Sequence, residues 1–122
     1  MAKFYKGTEV KFSIEIVAQG FSMDDDDFEI EVASTKGGSL KGYKNPPMGA
    51  TTDIVLFKEV PVSDSSDSGE ESTAGWYGIV DTSKLATGSL RVIATAHVPD
   101  VNAPDGIRNE VAMAQLGELT NP

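Results

Sequence analysis

The chain contains no cysteine and only one histidine, His97. Without thiolates, a sulfur-ligated zinc site, a redox-active dithiol and disulfide cross-links are all excluded, so stability must come from a packed core. Aromatic residues make up only 7% of the 122 residues, but a hydrophobic share of 39% suffices for one core, and a single domain spanning residues 1–122 is expected. Basic residues are scarce. Ten Lys and Arg face nineteen Asp and Glu, a formal charge of -9, which repels phosphate backbones and anionic headgroups. Nucleic acid and membrane surfaces are therefore not expected partners. No apolar run approaches a membrane span, and residues 1–7 are too short and too polar to begin a signal peptide.

The parts of an active site are also missing. No Gly-x-Ser-x-Gly elbow and no glycine-rich phosphate loop accompanies His97, which sits in an alternating stretch and reads as a half-exposed strand residue. Carboxylates are abundant, yet a small domain has little room for a deep cleft to hold an acid and base pair. No enzymatic activity is expected.

What is present is periodicity. Val10, Phe12, Ile14 and Ile16 alternate with Glu9, Lys11, Ser13 and Glu15, the period of a strand with one wet face. Phe28, Ile30 and Val32 repeat the pattern, and Trp76 to Val80 and Leu90 to Val98 read as further strands. Ile54-Val55-Leu56-Phe57 is a continuous apolar run, which predicts a central strand buried on both faces. The last strand is expected at residues 107–114. There Val111, Gln115 and Leu119 could also seed a helix, but Gly117 and the β-branched start favour a strand.

Turn residues separate these runs: Gly37-Gly38, Asn45-Pro46-Pro47, Gly49 and the Pro99-Asp100 and Pro104-Asp105 steps. None of the gaps has room for a βαβ helix. At residues 81–85, Asp81 or Thr82 can cap one helical turn whose Leu85 drops into the core before Gly88 ends it. The expected fold is all-β: an antiparallel immunoglobulin-like β-sandwich of six or seven strands with a one-turn helical crossover. Trp76 is expected in the middle of its core, although Trp76-Tyr77 could alternatively form a sugar-binding platform.

Four segments carry candidate interactions. Residues 63–72 hold no apolar side chain and predict a flexible, solvated acidic loop, or a tip that orders against a basic partner. Residues 36–50 form the one basic patch, where Lys41, Tyr43 and Lys44 beside Pro46-Pro47 suit either a docking arm or an ordinary long loop. Asp24, Asp25, Asp26 and Asp27 are calcium candidates, because hard cations take six to eight oxygen ligands. EF-hand spacing is absent, however, and neighbouring residues of an extended chain point to opposite sides. A charged turn with an Asx hydrogen bond fits the same residues, so no cofactor is required. Arg108 and Glu110, two apart on the last strand, stand where a rim ion pair can form.

The Asp-rich entry Gly20-Phe21-Ser22-Met23-Asp24-Asp25-Asp26-Asp27-Phe28-Glu29-Ile30-Glu31-Val32, the stretch from Trp76 to Gly88, and the ending Ala94 to Asp100 with Pro104-Asp105-Gly106-Ile107-Arg108-Asn109-Glu110-Val111 together cover about half the chain. In that order they resemble small immunoglobulin-like virion structural proteins of Bacteroidetes tailed phages and prophages, crAss-like phages among them. The resemblance implies a capsid decoration or head-fibre subunit, a homo-oligomer on the particle whose partners are other capsid or tail proteins. Its implied location is the virion, assembled in the host cytoplasm. Residues 36–72 match no part of that pattern. The alternative from another class is a carbohydrate-binding or host-surface adhesion module of the same fold.

Overall fold

Alternation along the chain gives each strand a wet and a dry face, and the computed structural model, which describes residues 2–59 and 75–122, follows it through most of the chain. The acidic loop expected at residues 63–72 lies outside the described residues. The elements are β1 (Lys3–Tyr5), β2 (Glu9–Ile14), β3 (Asp27–Ser34), β4 (Ser39–Tyr43), β5 (Val55–Glu59), β6 (Gly75–Asp81), a 3-10 turn (Thr82–Lys84), β7 (Gly88–Pro99) and β8 (Ile107–Thr120). They form two sheets, β1-β8-β7-β3-β4 and β2-β6-β5. Every pairing is antiparallel except that of β1, which runs parallel to β8 at Lys3↔Glu118 through Tyr5↔Thr120. The result is nearly all-β and consistent with a β-sandwich.

One face of each sheet is apolar. Val10, Phe12 and Ile14 of β2 and Val80 of β6 cover Phe28, Ile30 and Val32 of β3, Leu40 of β4 and Leu90 of β7. Phe28, Ile30 and Val32 have almost no exposure, and burying each such side chain contributes about 1.5–3 kcal/mol. The 3-10 turn closes one end. Asp81 accepts from the Ser83 N–H at 2.9 Å, and Leu85 is buried below the turn. Thr82 is buried too, its hydroxyl donating to the Thr8 carbonyl at 2.7 Å and accepting from the Gly7 N–H at 3.0 Å.

The structure departs from the sequence expectation in four places. The described residues form eight strands where six or seven were expected, because β1 is only three residues long and β4 lies inside the basic patch read as a loop. The run Ile54 to Phe57 is not a central buried strand: β5 begins at Val55, pairs only with β6 among the described residues, and leaves Val55 61% exposed. Ile54 and Leu56 face inward. Phe57 faces out, where it stacks on Tyr77 with centroids 5.8 Å apart, and the Lys11 ammonium lies 4.8 Å from the Tyr77 ring. A cation and a second ring thus cover an apolar side chain that the run alone assigns to a core.

Trp76 likewise sits at the rim of the core, partly buried, edge-on to Phe28 at 5.3 Å and 87°. Its indole N–H needs a partner, and the rim supplies one in Asp24. Finally, β8 runs on to Thr120 past a bulge where Leu90 faces Gly117 while Arg91 faces Gln115. The extra residue reverses the side-chain parity, so Leu119 enters the core. Gly117 is required where β1 crosses, since a Cβ there would lie 2.6 Å from both the Ala2 carbonyl oxygen and the Phe4 ring.

Candidate functional site

The four aspartates form a turn whose carbonyls converge and whose carboxylates diverge. Asp26 donates its N–H to the Ser22 carbonyl at 2.8 Å, and its carboxylate accepts from the Ser22 N–H at 2.8 Å. This reciprocal pair closes the turn. Into it reaches Lys44, whose ammonium donates to the carbonyls of Met23 (2.8 Å), Asp24 (2.8 Å) and Asp26 (2.6 Å). The same ammonium lies 5.5 Å from the Trp76 ring centroid and 5.9 Å from that of Phe28. The chain's own cation therefore occupies the oxygen-rich side of the loop.

The carboxylates find separate partners. Asp24 accepts from the Trp76 indole at 3.0 Å and pairs with Lys58 at 2.7 Å, while Asp27 accepts from the Phe28 N–H and from Asn45. Asp25 is exposed, its N–H directed to the Ser22 hydroxyl at 3.4 Å. Among the described residues no three acidic, histidine or cysteine side chains are grouped for a metal ion. As folded, the carboxylates of Asp24, Asp26 and Asp27 are each turned to a different partner. The motif encodes a loop fastened by Lys44, Lys58 and Trp76.

Lys41, Tyr43 and Lys44 do not form a shared patch with Arg108 and Glu110. The first three lie on or just beyond β4, at one edge of the five-stranded sheet, with β3 and β7 between them and β8. Lys44 is turned inward to the aspartate turn. Lys41 is exposed opposite Glu31, and its carbonyl accepts from the N–H groups of Asp53 and Ile54 at 2.7 and 3.0 Å. Arg108 is engaged on three sides: by Glu110 at 2.9 Å, by Asp100, and by the Gln19 carbonyl at 3.0 Å. It fastens the β7–β8 connection to the segment before β3. His97, on β7, pairs with Asn109 at 2.8 Å and stands 3.9 Å from Glu29, so it belongs to the sheet surface and not to a cleft.

Three carboxylates are held below the ordinary carboxylate value by these contacts. The hydrogen bond from Lys58 and then that from Trp76 lower Asp24, the Ser83 N–H lowers Asp81, and the Asn102 N–H followed by Arg108 lowers Asp100. A carboxylate whose folded value is depressed contributes stability that is complete above its unfolded value and is lost as pH falls through the folded one. Melting temperature is expected to hold from neutral pH down to about pH 4 and to fall below it. In Asp81→Asn that acid slope should be shallower in a thermal-melt pH series; an unchanged slope would remove Asp81 from the account.

On β8, the strand of Arg108 and Glu110, the sequence pattern did not single out the apolar residues. Ile107, Val111 and Met113 are 49%, 66% and 62% exposed, and Ala112 and Ala114 on the opposite face are exposed as well. Strand β7 covers one flank of β8 along its length, but β1 covers the other only at Glu118–Thr120. Among the described residues no strand pairs with that flank from Ile107 to Ala114. Beside it, β2 is the edge of the smaller sheet, and the open mouth between β2 and β8 is an apolar groove of about 310 Å³ lined by Phe12, Ile14, Ala94, Ala112, Ala114 and Leu116. Natural edge strands are blunted by lysine, proline or early bulges, and residues 109–114 carry none of these. One signal was legible in advance: from Val111 to Leu116 apolar residues fall on both faces, a pattern that in a sheet means cover on both sides. Among the described residues no strand covers that stretch on its open flank.

No family model, no curated protein and no solved structure matches the chain. The surface of the sheets is thus the guide to what the protein does.

Proposed function

We propose that this protein is a structural component of a tailed-phage particle, a capsid decoration or head-fibre subunit that acts through protein–protein contacts. The observation that carries the reading is the β8 edge, which at Val111 and Met113 is paired with no other strand on its outer flank among the described residues and exposes both side chains, in an otherwise strongly acidic chain. Such edges join neighbours by strand addition. The order β2-β6-β5 against β8-β7-β3-β4 supports an immunoglobulin-like assignment, because it follows the B-E-D and G-F-C-C′ arrangement of that fold. The resemblance of the Asp-rich turn and of the Pro-Asp-Gly-Ile-Arg ending to phage virion proteins supplies the setting. Repetition on a particle lets individually weak contacts hold.

Mass spectrometry of purified particles with copy number per virion tests this. Many copies per particle are expected for a shell decoration, and few copies in multiples of a vertex or tail symmetry for a fibre or connector. Absence from particles would overturn the proposal.

A second reading, a carbohydrate-binding or host-surface adhesion module, draws on the open groove of about 430 Å³ where Trp76 and Tyr77 stand beside Glu15 and Asp24. It requires the isolated monomer to bind a polysaccharide. Calorimetric titration with host-surface polysaccharide separates the two: heat that is lost in Trp76→Ala favours the module, and no heat leaves the assembly reading alone.

A further inference from the structure

The register of β7 with β8 fixes which backbone groups the open edge presents. Pro99 lies opposite Ile107 and has no N–H to give, and the Asp100 N–H donates to the Gly106 carbonyl at 2.9 Å. The pair Pro99/Ile107 is therefore a non-hydrogen-bonded pair, and the pairs that exchange bonds with β7 are Val98/Arg108, Ala96/Glu110, Ala94/Ala112 and Val92/Ala114. The N–H and carbonyl groups of Val111 and Met113 consequently point away from β7, toward the flank that no other described strand covers. On the outer face their side chains lie beside Thr95 and Ile93 of β7.

We propose that this flank is a self-association edge, in which a second copy of the chain adds its own β8 antiparallel, sets Val111 against Met113 of the second copy, and brings the two Ala112 residues together on the twofold axis. The proposal rests on the assembly reading above and names the partner and the register. In this register Val111 and Met113 exchange four backbone hydrogen bonds across the axis. Their side chains close into one apolar cluster on the outer face, flanked on each side by Ile93. Glu110 falls opposite Ala114, so no like charges meet.

Charge selects the second copy over another partner. Glu110 is the one ionisable residue between 109 and 115, and Arg108, which it shares with Asp100, offsets part of its charge, whereas residues 111–114 carry no charge and the chain as a whole carries -9. A basic partner would be drawn to the carboxylates elsewhere. The uncharged apolar strip at residues 111–114 is complementary to itself, as an isologous twofold contact requires. A contact of one strand on one strand buries less than the roughly 1,600 Å² of a standard interface, so a weak dimer is expected in isolation.

Because the chain has no cysteine, a single introduced one reports the register directly. Facing residues of a non-hydrogen-bonded antiparallel pair have Cα atoms about 4.5 Å apart, within disulfide range. Under mild oxidation Ala112→Cys is expected to form a covalent dimer at least about tenfold faster than Val101→Cys, placed at an exposed position in the β7–β8 connection. Adding Met113→Lys to Ala112→Cys should remove that advantage while leaving the β circular dichroism signal unchanged. Val111→Pro provides a second variant, since it deletes an edge-facing N–H and spares the bonds to β7; it too should abolish the acceleration. Equal rates for the two cysteine variants, or an acceleration that survives both edge variants, would overturn the proposal. Cross-linking by a protein absent from particles would leave the edge standing and remove the virion assignment, and the reverse result would do the opposite.

Discussion

Truncating Phe28 to alanine is expected to destabilise the protein by about 3–5 kcal/mol, the cost of deleting a buried aromatic and leaving its cavity. Phe28 is 1% exposed, lies in the shared core of both sheets, and carries the edge-on contact with Trp76. It is also the second residue of the strand that the aspartate turn feeds into, so its ring fixes the turn to the core from below. At roughly 4 °C per kcal/mol for a chain of this size, the melting temperature should fall by roughly 10–20 °C. Chemical denaturation gives the free energy directly. A loss under about 1 kcal/mol would mean that the site collapses around the missing ring and that the two sheets are not held together there.

Replacing Lys44 with methionine is expected to cost about 1–3 kcal/mol, the range for removing a charged donor from buried or half-buried acceptors. Methionine keeps an apolar stem against the rings of Phe28 and Trp76, so the change isolates the three hydrogen bonds to the Met23, Asp24 and Asp26 carbonyls. Water can reach part of the turn and replace some of what is lost, which places the expectation in the lower half of that range. Trp76 is the sole tryptophan, and its indole is held by Asp24 of the same turn, so its emission reports the turn's loosening without an added label. A red-shifted emission with lowered stability is the expected pair. Stability within about 0.5 kcal/mol of the parent and unchanged emission would show that the ammonium does not hold the turn.

The sequence made the dry faces legible wherever alternation was strict. Val10, Phe12 and Ile14 and then Phe28, Ile30 and Val32 are core residues as their spacing requires, and Asp81 caps the single turn before Leu85. Pairwise cover was not legible. Phe57 is apolar like a core residue, yet its partners Tyr77 and Lys11 come from two other strands and only the register Phe57↔Tyr77 brings them together. Lys44 reads as a surface cation until the fold returns it to carbonyls eighteen to twenty-one residues earlier. At the aspartate turn composition shows the carboxylates and hides the direction of the carbonyls that Lys44 meets. At β8 the residues themselves were plain, and what the sequence could not show was that β1 stops short of Val111 and Met113.

Those two positions give the contact reading its physical basis. That flank, which no other described strand covers at Val111 and Met113, combines backbone groups that want partners with apolar side chains that want cover, and one added strand satisfies both needs at once. The acidic remainder keeps other surfaces apart by repulsion, which salt screens over about 8–10 Å at physiological strength. Association at the neutral edge should therefore persist or strengthen as salt rises, unlike capture of a basic partner, which should weaken.

Amide hydrogen exchange followed residue by residue, at low and at high protein concentration, tests the open edge most directly. In the dilute protein the amides of Val111 and Met113 should exchange rapidly while those of Glu110, Ala112 and Ala114, bonded to β7, stay protected; on concentration Val111 and Met113 should become protected as well. Protection of all five in the dilute monomer, or rapid exchange at Val111 and Met113 that concentration leaves unchanged, would contradict it.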